Sequence, residues 1–100
     1  MPRSIGHSAL DGILMGVASV KFALRNNAGN LLLTRVVCES RTQPFVTDSN
    51  GNTWTTYYSR LFFKKYWVVK AYVRDCASGD NAVTATYDGQ RGLLRVAECE

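Results

Sequence analysis

TWTTYYSRLFFKKYWVVKAYVR, residues 53–74, decides the fold class and directs the search for function. Its second half alternates. Trp67, Val69, Ala71 and Val73 point one way, and Tyr66, Val68, Lys70, Tyr72 and Arg74 the other. A period of two over residues 65–74 is the mark of a half-buried strand, with Trp67 turned to the core and an aromatic-basic set turned to solvent. The stretch also holds eight of the eleven aromatic residues (Trp54, Tyr57, Tyr58, Phe62, Phe63, Tyr66, Trp67 and Tyr72) and five of the twelve Lys and Arg. Those cations are Arg60, Lys64, Lys65, Lys70 and Arg74, and no acid lies between Asp48 and Asp75. Core packing does not call for five cations among the rings, so part of the stretch is expected to face outward as a binding surface.

The rest of the chain also reads as strand and turn. Val20, Phe22 and Leu24 alternate with Lys21, Ala23 and Arg25. Asn26 to Asn30 form a turn cluster whose Asn and Gly tolerate the positive φ of a hairpin, and the next strand runs from Leu31 to about Glu39. Asn50-Gly51, between Phe45–Ser49 and Asn52–Thr55, predicts a hairpin, because both residues tolerate positive φ. Ala77 to Asn81 break the chain, and Ala82–Tyr87 and Leu93–Glu98 are expected to pair as a last hairpin across Asp88–Gly92. Two segments stay ambiguous. Ser8 to Asp11 fit a capping box, and Leu10, Ile13, Leu14 and Val17 have helical spacing, against which Gly12 and Gly16 each weigh about 1 kcal/mol. Residues 56–64 admit a helical turn. The expectation is therefore all-β: a small immunoglobulin-like sandwich of roughly seven strands with one short N-terminal helix. An OB-type barrel is the alternative.

One hundred residues, 46% apolar and 20% charged, make one globular domain over residues 1–100. The net charge of +4 favours acidic partners: nucleic acid, an anionic surface, an acidic glycan or an acidic protein patch. No apolar run approaches the roughly 20 residues of a membrane span. Arg3 opens a segment that Asp11, Gly12 and Gly16 interrupt, and it does not read as a signal peptide. Cys38, Cys76 and Cys99 allow one disulfide with one thiol left over, or three reduced thiols. With the single His7 they make no zinc set, and no cofactor or metal is implied.

Catalysis is disfavoured. His7 reads as a solvated terminal residue, and no nucleotide-binding glycine pattern is present. Asp48, Asp75, Asp80 and Asp88 all sit in turn contexts, where Asp caps the backbone. Asp48 to Asn52 have a likeness to a calcium loop, but a hairpin turn accounts for every residue in it.

The run RNNAGNLLLTRVVCES, residues 25–40, resembles the opening of the plant self-incompatibility (S-protein homologue) family. So do Gly51-Asn52-Thr53-Trp54, Tyr87-Asp88 and the late Cys99. The family usually has four cysteines where this chain has three, and Cys76 lies away from the family's second position. A comparable partial likeness to the expansin C-terminal domain runs through Ser40-Arg41-Thr42 and Trp54. The S-protein resemblance implies a small secreted sandwich acting as a ligand.

The functional expectation is a non-catalytic binding protein, a secreted ligand or effector with an acidic or glycan-bearing partner. Its surface is expected to comprise Tyr58, Arg60, Lys64, Tyr66, Lys70, Tyr72 and Arg74. A virion or filament subunit and a single-stranded nucleic-acid-binding module are the alternatives. Against all three stands the plainer account, in which the rings are core and the Lys and Arg stems lie over it.

Overall fold

The computed structural model describes residues 4–12, 16–22, 24–89 and 91–99, with side chains described from residue 16 onward in those ranges. Eight strands follow one another: β1 (Ser4–Gly12), β2 (Val17–Lys21), β3 (Leu31–Glu39), β4 (Phe45–Asp48), β5 (Thr55–Phe62), β6 (Tyr66–Val73), β7 (Ala82–Thr86) and β8 (Arg91–Cys99). They form two antiparallel sheets, one of five strands in the order β1-β8-β3-β6-β5 and one of three in the order β2-β7-β4. The all-β sandwich is the architecture that the turn spacing predicts, and the open edges of both sheets set it apart from a closed barrel. Every connection but β5–β6 crosses from one sheet to the other. Eight strands linked in this alternating way have the connectivity of a double-sheet jelly roll.

The core lies between the sheets and is built by alternation. The large sheet contributes Leu32 and Val36, then Val69, and then Leu94 and Val96, all at most 2% exposed. The small sheet and its flanks answer with Ala18, Phe22, Val83, Ala85 and Tyr87. Each fully buried Val or Leu contributes about 1.5–3 kcal/mol of apolar burial. Trp54 and Trp67 pack against this core from its rim.

A second, polar cluster joins the sheets at one end. Glu98, 1% exposed, accepts hydrogen bonds from Asn26 Nδ2 (2.9 Å), Asn27 N (2.8 Å) and Asn30 Nδ2 (3.0 Å). Asn81 Nδ2 donates to Asn26 Oδ1 (2.9 Å) and to Asp48 Oδ2 (3.1 Å). Asp48 also accepts from Asn52 N, Asn52 Nδ2 and the Trp54 indole N–H. Buried polar groups are tolerable only when satisfied in this manner.

Several expectations are corrected. Ser4–Gly12 is strand rather than helix: the segment pairs with β8 from Ser4–Cys99 to Gly12–Gly92, which supplies backbone partners that a glycine-weakened helix would have had to make alone. Ile13 and Leu14 lie outside the described residues. His7 sits within β1, opposite Ala97, not in a loose terminus. Residues 56–64 are β5 and the start of its turn, not a helical turn. The alternation around Phe22 stops early, and Leu24 is 64% exposed.

None of the three predicted hairpins forms, and β2 and β3, on either side of the turn at residues 26–30, lie in different sheets. Gly51 does adopt positive φ (72°), yet β4 pairs with β7, not with the residues after the turn. The Asp48 carboxylate gathers Asn52 and Trp54 and leads the chain into the other sheet. Likewise β7 and β8 part company. Their link is tied to the end of β3, through Asp88 N to Ser40 Oγ (2.9 Å) and Arg41 N to Asp88 O (2.9 Å), instead of closing on itself.

Candidate acidic-partner interface

The large sheet has one face against the core and one face outward. On β6 the outward positions are those the alternation predicts: Tyr66, Val68, Lys70 and Tyr72, with Arg74 just beyond the strand. β5 is an edge strand, and a register shift between Thr56 and Tyr58 marks a bulge. A bulge turns two successive side chains toward the same face. Tyr57 meets Tyr72 there (ring centroids 5.9 Å apart, 43° between planes), while Tyr58 lies under the Lys70 ammonium (5.1 Å). Arg60 stands over Phe62 (5.1 Å) and Arg74 over Tyr72 (5.3 Å). Arg60, Lys70 and Arg74 thus rest on ring faces, contacts of about 0.5–1 kcal/mol each at exposed sites.

The register adds two residues that the sequence reading left out. Arg35 of β3 is opposite Lys70 of β6 on one side and opposite Arg95 of β8 on the other. Lys70 is in turn opposite Tyr58. Arg95, Arg35, Lys70 and Tyr58 therefore form one row straight across four strands, about 14 Å long at the usual strand spacing of about 4.8 Å. At the outward positions of β3, β5, β6 and β8 the only carboxylate is Glu39, at the far end of β3. Like charges directly opposite each other on paired strands are destabilising. Folding does not require such a row. A signal for it did exist: each Arg interrupts an otherwise apolar strand at its middle, in Leu33-Thr34-Arg35-Val36 and Leu93-Leu94-Arg95-Val96. Joining them needed the register.

Over this row lies a hollow of about 330 Å³, whose walls include Leu33, Arg35, Tyr57, Lys70, Arg95 and Ala97. Of the residues expected to bind, Tyr58, Lys70 and Tyr72 are half-buried on this face, and Arg60, Tyr66 and Arg74 are more exposed around it. Lys64 is elsewhere. It lies at the β5–β6 turn, beside a separate hollow of about 540 Å³ with Lys65, Arg41, Glu39 and Asp88. In that turn Phe63 and Lys64 both take positive φ (53° and 60°), and Phe63 is 85% exposed.

Cys38, Cys76 and Cys99 are free thiols. Burial pushes Cys38 up to about 11. Burial, and next the nearby Glu98 charge, raise Cys76, whose Sγ–H donates to Asn27 O (3.2 Å). Neither is an activated nucleophile. Among the described residues no group of three or more His, Cys, Asp and Glu is placed to hold a metal ion, and no helix is long and apolar enough to cross a membrane. No protein-family model, curated protein or solved structure matches the chain.

Proposed function

We propose that the protein is a non-catalytic binding protein that takes up an acidic partner on the outer face of its large sheet. The row Arg95–Arg35–Lys70 carries the reading, since it sets three cations side by side while the outward positions of β3, β5, β6 and β8 hold no carboxylate but the distant Glu39. The flanking tyrosines add flat contact surface of the kind that dominates binding energy. Asp48 and Glu98, the carboxylates nearest the core, are fully occupied as hydrogen-bond acceptors, which supports binding over acid–base chemistry. Retention on immobilised heparin tests the reading. The parent should be held at low salt and released as salt rises, and Arg35→Gln with Arg95→Gln should elute much earlier. A parent that flows through at low salt would rule the acidic partner out.

A second reading, a subunit of a virion or filament, is favoured by a different observation. β5 is an open edge, with Leu61 42% exposed and Arg60 as its only charge, and Phe63 in the turn that follows is 85% exposed. Open edges with apolar side chains invite pairing with another chain. The three free thiols also support an assembled or reducing setting over a secreted one. Light scattering over a concentration series decides: a strict monomer at all concentrations excludes this reading.

A further inference from the structure

We infer that the hollow over Arg95, Arg35 and Lys70 seats one nucleotide of a single-stranded nucleic acid, its phosphate on the cation row and its base against Tyr57. The inference rests on the outer face being the acidic-partner surface, and it names the partner. Three features point the same way. The hollow, about 330 Å³, has two chemistries on its walls: cations from Arg35, Lys70 and Arg95, and apolar surface from Leu33, Ala97 and the Tyr57 ring. A ligand matching both is part anion and part flat apolar plate, which describes a nucleotide better than it describes a sulfated sugar. Second, Tyr57 reaches the hollow only because the β5 bulge turns it there. Its ring leans on Tyr72, which holds it in place while 56% of the residue remains exposed. Third, cations continue beyond the hollow at Arg60 and Arg74, so the phosphates of neighbouring nucleotides meet further positive charge.

A duplex keeps its bases stacked inside and offers them poorly to a shallow sheet face. Unpaired bases stack on tyrosines whatever their identity. The site is therefore one for single strands with little sequence preference.

The experiment measures fluorescence anisotropy with a short labelled oligothymidylate, using unlabelled heparin, the matching duplex and thymidine monophosphate as competitors. The oligothymidylate should bind more tightly than the duplex, and the monophosphate should compete only weakly. Tyr57→Ala should weaken oligothymidylate binding roughly tenfold, the loss of about one stacked base, while leaving heparin affinity within about twofold. Lys70→Ala should weaken both ligands, and Lys21→Ala, on the small sheet, neither. Circular dichroism confirms that each variant is folded. If Tyr57→Ala lowers heparin and oligothymidylate affinity equally, or if the duplex binds as well as the single strand, the nucleotide site is wrong and the general acidic-partner reading survives. If the monophosphate matches the oligothymidylate, the polymer is wrong. Binding of neither oligothymidylate nor heparin ends both readings together.

Discussion

Arg35 and Arg95 stand directly opposite each other on the paired strands β3 and β8, with Lys70 opposite Arg35 on its other side. If this row exists for a ligand, it should trade stability for binding. Replacing both arginines by Gln should leave thermal stability unchanged or raise it by about 0.2–1 kcal/mol, because like charges across strands repel. The same change should reduce attachment to a polyanion. For single strands the logarithm of affinity should fall against log salt with a slope of about −2 for three phosphate contacts, and about −0.7 when two are removed. A destabilisation above about 1 kcal/mol would mean that the pair is structural.

Glu98 holds the 26–30 turn from 68 to 72 residues away in sequence, through three neutral donors. Glu98→Gln keeps the volume but presents an NH₂ group to an N–H donor. It should cost about 1.5–3 kcal/mol in urea denaturation, the range for hydrogen bonds to a charged group. A change below about 0.5 kcal/mol would show that the carboxylate is dispensable.

Trp67 packs on the core, but its indole nitrogen is buried and has no hydrogen-bond partner. Trp67→Phe removes the unsatisfied N–H and should lose far less than Trp67→Ala. The alanine variant should cost about 3 kcal/mol, the lower end for a large aromatic, because the side chain is only half-buried. Equal losses in the two variants would place the weight on the indole nitrogen instead.

The thiols should separate by reactivity. Ellman's reagent at neutral pH should modify Cys99, the half-buried one, well before Cys38 and Cys76. Raised folded values also fix a pH trend. The Cys38 thiol keeps its proton in the folded chain up to about 11 against an ordinary value of 9.0. The folded state therefore binds more protons than the unfolded state between those values. This stabilisation is complete below the unfolded value and is lost as pH rises through that window. Cys38→Ala should flatten the alkaline decline, and an unchanged decline would assign it to other groups.

Local chemistry in the sequence was legible wherever burial decides it. The alternation of Trp67, Val69, Ala71 and Val73 places the inner face of β6, and Leu31 to Glu39 is β3 to the residue. Pairing was not legible from turns. Asn50-Gly51 reports only that the backbone can adopt positive φ there, and the partner of β4 is chosen by how β7 and Asp48 complete the core. The candidate site shows the same division. Lys70 and Tyr72 follow from parity within one strand, whereas Arg35 and Arg95 join them only through inter-strand register. Tyr57 follows from a bulge that no residue type announces.

β8 is the last strand along the sequence, yet it lies between β1 and β3 in the large sheet. Until residues 91–99 have been synthesised and have left the ribosome, β1 and β3 lack their shared neighbour, and the apolar side of Leu32 and Val36 is incompletely covered. Among the described residues only β5 and β6 form a local hairpin, so almost every other pairing must close a long loop. Chains wired in this way fold on the order of milliseconds to seconds and carry unpaired edges while they wait. Completion of the large sheet therefore waits on residues 91–99, and until they pair, the facing edges of β1 and β3 stay open to any other strand.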